Sequence, residues 1–434
     1  MSLMSVFLYE FKHFSRSKAK VFAYLLFVLA SVYALYNGFD VQKKQQETLA
    51  GIEQKKQEEI TKILLLYDEG KKGPEDKPWI DITTPYWALW NLPTYSFKKT
   101  SPTLPLGTGQ TEQYGYYKKV TNWSSVYDKD MVEELANPER LVYGNIDFSF
   151  LIIFLLPILL IILTYNINGL ERDLNFDKLI AIQSGSKQKW ILARLSFYCL
   201  LLTATVAIFI LTVALINKAV GSAVFALILL SSLSILVWSI VFYFIILKSK
   251  SSSAIAFKMI SVWLIFCVLI PGAVHQIAST KFPANYMTDY LDVNRKEASE
   301  LFELSPDTLY NKIKSIYPSL ANTKHGRDSI ADGKIVDNTV SALINQMNKT
   351  AINKIESQND AKNSFITSSY WLNPITWFQN KWNNLTQSDY YAYKIYRNNL
   401  QQKIDQKIEL LVFDSWEKKT IDKKTYEKYL TQFK

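Results

Sequence analysis

Five apolar stretches constrain this chain more than any other feature. A membrane-spanning helix needs about 20 predominantly apolar residues, and such runs occupy residues 21–36, 147–167, 191–216, 222–247 and 254–274. Between them lie segments as polar as any soluble protein, so a mean hydropathy of −0.01 conceals a division. The expected fold class is mainly α: a polytopic membrane helix bundle of about five transmembrane helices with two extracytoplasmic domains. The first of these domains is expected to be α+β or loop-rich and the second mainly helical.

Residues 1–20 form an amphipathic interfacial helix in this reading. Phe7, Leu8, Phe11 and Phe14 recur at helical spacing among Glu10, Lys12, His13, Arg16 and Lys18, which suits a helix lying in the headgroup plane. Residues 21–38 are the first membrane helix. A basic start and an apolar centre also fit a secretory signal, but the later spans favour an uncleaved helix. Residues 39–146 are the first extracytoplasmic domain. It opens with the charged stretch Gln42 to Tyr67, then turns rich in Pro, Gly and aromatics, as ordered loops are. Residues 147–275 hold four more membrane helices, with Pro157 marking a kink and a cytoplasmic coupling segment at 168–190. Residues 276–434 are the second extracytoplasmic domain, with helical periodicity in 338–355 and 391–416. No later run is long enough for a sixth crossing.

Charge sets the expected orientation. Lys12, Arg16, Lys18 and Lys20 precede the first span, Arg172, Lys178, Lys187, Lys189 and Arg194 lie between the second and third, and Lys248, Lys250 and Lys258 lie between the fourth and fifth. The opposite short loop has only Lys218. The positive-inside rule places the N-terminus in the cytoplasm, and five crossings place the C-terminus outside. The net charge of +10 is therefore read as juxtamembrane and not as a nucleic-acid surface.

Several chemistries find no support. Cys199 and Cys267, the two cysteines, both lie in apolar runs, so no disulfide framework or CxxC site arises. His13, His275 and His325 lack metal-motif spacing. No ionisable group sits at mid-depth in a span, which argues against an ion-coupled carrier. Gly107-Thr-Gly109 lacks the GK[ST] of a phosphate loop, so a motor for powered transport would be another chain. Glu133–Glu134 and Glu297–Glu300 have no neighbouring His and read as solvated helix faces. In the 168–190 segment, Leu174, Asp177, Lys178 and Ile182 fit a short amphipathic helix. It is either a coupling helix docking on a motor or an interfacial turn held near headgroups by Arg172 and Lys178. Trp87, Trp90, Tyr116, Trp371 and Trp377 are the candidate extracytoplasmic contacts, since Trp and Tyr supply large contact area. The other reading of these five is each domain's own core.

Taken in order, the residues resemble permease subunits of type-2 ABC transporters, in the subfamily with a large extracytoplasmic insertion. The carriers begin with Arg16-Ser-Lys, Tyr33-Ala-Leu-Tyr-Asn-Gly38, Pro102 to Gly109 and Tyr114 to Thr121. Asn137 to Gly144, Asp147-Phe-Ser-Phe, Leu155-Leu-Pro157, Leu163-Thr-Tyr-Asn166 and Glu171–Arg172 follow, then Trp371 to Trp377 and Tyr393 to Asn399. The resemblance implies a non-catalytic half-transporter in the cytoplasmic (inner) membrane of a bacterium. A second permease subunit and a cytoplasmic ABC ATPase would be its partners beside the lipid bilayer, with ATP and Mg bound by the ATPase and no cofactor in this chain. It also implies that Glu171 and Arg172 lead into the coupling region, with Leu174, Lys178 and Ile182 beside them. The sequence departs from the family at Asn175-Phe176, where relatives carry a small Gly-Thr-like turn, and in having five crossings where type-2 permeases have six. The competing expectation is a membrane-anchored extracytoplasmic binding or assembly module without ATP coupling.

Overall fold

The computed structural model describes residues 3–109, 111, 114–127, 146–174, 176, 182, 186–219, 221–283, 290 and 292–433. Five helices in it are long and apolar enough to cross a membrane: α2 (Lys18–Asp68), α4 (Phe148–Asp173), α5 (Lys187–Ile216), α6 (Ser222–Lys248) and α7 (Ser252–Lys281). A short helix α1 (Leu3–Arg16) precedes them. These features are those of a multi-pass membrane protein. We call the end of the bundle that carries α1 the base and the polar body at the other end the head.

α4 is the central helix and packs on α2, α5, α6 and α7. Leu151, Ile152, Leu156, Leu160 and Leu163 on it are fully buried. The outer faces of its neighbours expose large apolar side chains, among them Phe22, Leu29, Leu215, Phe225 and Phe257. Such a belt is stable only against an apolar surround, which lipid supplies. Both α4 and α7 pass through one π-helical turn, Leu151–Leu155 and Ile265–Leu269, shortly before Pro157 and Pro271. A proline removes an N–H and crowds the carbonyl four residues back, and the wider turn accommodates that. The Phe154 carbonyl in this turn accepts a hydrogen bond from Trp263 Nε1 of α7 at 3.0 Å.

α2 does not stop where the apolar run ends. It continues through the charged stretch to Asp68 as one helix of 51 residues, about 76 Å at 1.5 Å per residue. Its far half is a strut for the head, tied there by Lys119–Glu59 at 2.8 Å and Lys423–Asp68 at 2.5 Å. The head is built from both polar segments of the chain. The first supplies α3 (Pro85–Trp90) and the antiparallel pair β1 (Thr94–Phe97) and β2 (Tyr117–Val120), in register Thr94↔Val120 to Phe97↔Tyr117. The second supplies α8 (Asp292–Phe302), α9 (Pro306–Ile316), α10 (Gly333–Thr339), α11 (Ser341–Ser368), α12 (Pro374–Thr386), α13 (Tyr390–Trp416) and α14 (Lys423–Gln432). The segments share their cores. Val120 and Val126 pack with Leu320, Ile404 and Trp416, while Ile63, Ala88 and Leu92 pack with Leu411, Ile421 and Tyr426.

Lys407 of α13 fastens this union. Its Nζ is buried and lies 3.1 Å from Leu92 O, 2.7 Å from Val120 O and 3.3 Å from Thr94 Oγ1, all in the first segment. No carboxylate partners it among these contacts, and burial pushes its ammonium down to about 7. Its N–H groups donate to the two carbonyls and to the threonine hydroxyl oxygen.

Head and bundle meet at a waist. The Leu104–Leu106 turn lies against α2 at Gly38, where a Cβ would come within 2.6 Å of Pro105 O. Asp147 caps α4 through Phe150 N at 2.8 Å and accepts Thr108 N at 2.9 Å. Trp382 of α12 donates to Leu106 O at 2.8 Å.

Two outcomes follow from these contacts. Gly38→Ala overpacks the waist and lowers stability by roughly 1–3 kcal/mol. Gly51→Ala, on the same helix with open space around it, raises it by up to about 1 kcal/mol; thermal unfolding of the two variants in micelles separates these cases. For Lys407, between pH 7 and the ordinary lysine value of 10.5 the unfolded chain holds a proton that the folded chain lacks. This contribution to stability therefore rises with pH across that window and falls away towards pH 7. The unfolding midpoint of the parent should gain on that of Lys407→Met as pH is raised from 7; a constant difference would contradict the assignment.

Candidate functional site

At the base, the residues Asn168 to Asp173 form a clamp. Asn168 takes a left-handed conformation with φ 62° and starts the last turn of α4, Gly169–Asp173. Its Nδ2 approaches Ile246 O of α6 at 3.5 Å. Gly169 presses on the first residues of α7: a Cβ there would meet Ser252 Oγ at 2.5 Å and Ser252 Cα at 2.8 Å. Arg172 donates to Ser249 O in the turn between α6 and α7, and Asp173 accepts from Ser252 Oγ at 2.7 Å. The turn between α6 and α7 is thus joined to the last turn of α4.

On the other side of the clamp lies a buried ion cluster. Arg194 of α5 is fully buried, with Nε 2.6 Å from Glu10 Oε2 and its NH1 paired with Glu171 Oε1. Its guanidinium carbon stands 5.5 Å from the Trp190 ring centre and 5.7 Å from that of Tyr9. Tyr198 donates to Glu10 Oε1 at 2.7 Å, and Lys20 at the start of α2 donates to Tyr198 Oη at 3.1 Å. Two carboxylates face two cations, so the buried cluster is balanced. Burial alone would raise the Glu10 carboxyl. Arg194, through charge and hydrogen bonding, together with Tyr198 and Lys20, outweighs that and holds it below the ordinary range. Burial and the nearby Lys20 push His13 down, so at neutral pH its imidazole adds no charge.

Glu10 explains how α1 sits. Val6, Glu10 and Phe14, at i, i+4 and i+8, face the bundle. Met4, Leu8 and Phe11, at i, i+4 and i+7, are exposed. Every membrane helix therefore has a hold at the base: α2 through Lys20, α4 through Glu171, α5 through Arg194, α6 and α7 through Ser249 and Ser252. Outside this unit stand exposed apolar side chains, Leu174 and Phe176 at 55% and Ile182 at 80%.

Of the coupling residues read from the sequence, Glu171 and Arg172 lie inside the clamp, and Leu174 and Ile182 are exposed beside it. Lys178 lies outside the described residues, as do Glu133–Glu134 and Asn137 to Gly144. Glu10, Arg194 and Tyr198 were not singled out as site residues. The signal available was a carboxylate on the buried stripe of an amphipathic helix, facing an i, i+4 Arg–Tyr pair. Among the head aromatics, Trp87 and Trp90 meet at 6.5 Å beside Tyr86. Tyr116 is buried, Trp371 is 83% exposed, and Trp377 lines a cavity where head and bundle join. Among the described residues no cluster of His, Cys, Asp and Glu has the makings of a metal site. Comparison with family models, curated proteins and solved structures returns no match.

Removing one partner of a buried ion pair costs about 3–5 kcal/mol, because the other charge is left behind. Arg194→Met should show that loss in thermal unfolding, and the double variant with Glu171→Gln, which leaves Glu10 facing Lys20, should recover most of it. The Glu10 contribution is present above the ordinary glutamate value of 4.5 and is lost as pH falls through its lower folded value. Glu10→Gln should flatten that acid limb.

Proposed function

We propose that this chain is the membrane (permease) subunit of an ATP-driven exporter or mechanotransmitting complex. It pairs with a second permease subunit and with a separate cytoplasmic ABC ATPase that binds ATP and Mg. The base faces the cytoplasm of a bacterium and the head lies outside the inner membrane. Two things support the reading. One is the ordered resemblance from Arg16 to Asn399. The other, which carries the proposal, is the base itself: a clamp that holds all five membrane helices, with Leu174, Phe176 and Ile182 exposed next to it.

A motor can move a bundle only through a lever that does not yield. A load on Leu174 or Phe176 passes into the last turn of α4, to which both are hydrogen-bonded, and from Glu171 and Arg172 to α5, to α1 and to the α6–α7 turn. The head, joined to α2 as one continuous helix, would then move with the base. The exposed apolar residues, and not the clamp charges, are the docking contacts in this reading, because Arg172 and Glu171 are already engaged within the chain.

The test is purification of the tagged full-length chain from its native membranes. An ATPase subunit should accompany it, with ATP hydrolysis in the eluate. Leu174→Asp, Phe176→Asp and Ile182→Asp together should release that ATPase and reduce the hydrolysis about tenfold or more, corresponding to at least 1.4 kcal/mol of docking energy, while membrane insertion and the unfolding midpoint hold. A triple variant that keeps its ATPase and turns over like the parent would exclude this segment as the coupling element. A parent chain that brings no ATPase would exclude ATP coupling altogether.

A further inference from the structure

A cavity of about 830 Å³ lies where head and bundle join, within the size range of small-molecule sites. Two helices of the head frame it with the same pattern. On α11 and just past its end, Asn359, Asn363, Ile366 and Tyr370 line it, at i, i+4, i+7 and i+11. On α12, Asn373, Trp377, Asn380 and Asn384 line it at the same intervals, beginning from the N-cap. Each stripe presents one face of a helix, and each combines carboxamides with a ring.

The carboxamides are not all satisfied by protein. Asn373 is 1% exposed; its Oδ1 accepts Thr376 N, but its Nδ2 has no protein partner. The buried Asn383 Oδ1, also on the lining, has none either. Both atoms are closed off behind the lining, and the carboxamides that reach the cavity are those of the part-exposed Asn359 and Asn363 and the exposed Asn380 and Asn384. Charge on the wall is balanced. Lys362, Lys381, Asp147 and Asp389 all lie on the lining, and both acids are engaged, Asp147 with Thr108 N and Phe150 N, Asp389 with Ala392 N and Asn384 Nδ2. The floor is apolar and comes from the head-side ends of two membrane helices: Phe150 and Phe154 of α4, Pro271 and Val274 of α7.

We propose that this cavity binds a neutral sugar, presented as the headgroup of a membrane glycolipid. Each hydroxyl both donates and accepts, which matches a carboxamide group for group. The rings of Trp377 and Tyr370 on the lining suit the C–H side of a pyranose, whereas Arg397 stands over that of Tyr390. The balanced charge disfavours a strongly ionic ligand, and the apolar floor continues into the membrane helices, where the lipid part would lie. Both floor helices carry a π-helical turn beside the cavity, a feature frequent at functional sites. Binding at this site requires no ATP coupling, so it stands or falls apart from the function proposed above.

The test uses the full-length protein in phosphatidylcholine nanodiscs without nucleotide. Diglucosyl diacylglycerol is added as a minor lipid, and free maltose is titrated separately; retained lipid is read by native mass spectrometry and maltose by tryptophan fluorescence. One glycolipid per chain should be kept in preference to phosphatidylcholine. Trp377→Ala with Asn380→Ala should cut retention about tenfold or more, as expected when a site built to bond hydroxyls loses its partners. Trp377→Tyr should keep most of it, and Trp371→Ala, outside the cavity, should match the parent. Asn363→Ala on the facing stripe serves if the double variant does not fold. Retention of the glycolipid alone supports a lipid-borne sugar, and maltose binding as well supports recognition of the headgroup itself. Equal retention of both lipids, equal retention by a folded cavity variant, or displacement by trialanine but not by sugar would overturn the proposal.

Discussion

A guanidinium buried at the edge of a lipid-facing bundle has to be neutralised within the protein, and Arg194 obtains both of its carboxylates from outside its own helix. Glu10 comes from α1 and Glu171 from the last turn of α4. Without that pairing the desolvation of each charge would be uncompensated. The need to satisfy one side chain therefore fixes the seat of α1 and the angle at which α4 leaves the bundle. With Glu171 held, Arg172 and Asp173 fall in register with the α6–α7 turn. The base is rigid because its polar groups have single solutions, whereas the apolar contacts higher in the bundle are interchangeable.

The waist applies the same logic to the opposite end. The Pro102 to Gly109 loop is pinned by backbone approach at Gly38, by the carboxylate of Asp147 and by the indole of Trp382. These contacts come from four distant parts of the chain, and three of them were recognisable in sequence only as separate fragments of a resemblance. They sit together because α2 and α4 enter the head side by side. The head consequently cannot tilt independently of those two helices.

Much of the base was legible beforehand. The segment 168–190 read as a candidate coupling segment, and Glu171 and Arg172 within it lie in the clamp. Leu174 and Ile182 read as members of a short amphipathic helix most of which lies outside the described residues, and both side chains are exposed. What did not stand out was the division of labour within it. Arg172 and Arg194 read as two of several interfacial cations, yet Arg194 is fully buried and Arg172 is spent on a backbone carbonyl. A count of basic residues records position along the chain, and burial depends on which helix lies opposite. The carboxamide stripes of α11 and α12 were equally unremarkable in sequence, since Asn at helical spacing suits a solvated face as well as a polar cavity.

The sequence by itself determined that the chain contains five helices of membrane length, that they alternate with two polar segments, and that the chain carries no recognisable nucleotide motif. Those properties reside in hydropathy and local periodicity, which act over a few turns. Only the tertiary structure decided that α4 is the central helix, that α2 runs unbroken from bundle to head, and that the two polar segments share cores around Lys407. Hydropathy cannot rank helices by burial, because lipid tails and a protein interior are equally apolar. Nor can composition divide the head into domains, because Lys407 and the strand residues it holds, Val120 and Thr94, are 287 and 313 residues apart in sequence and are brought together only when buried donors and acceptors must find one another.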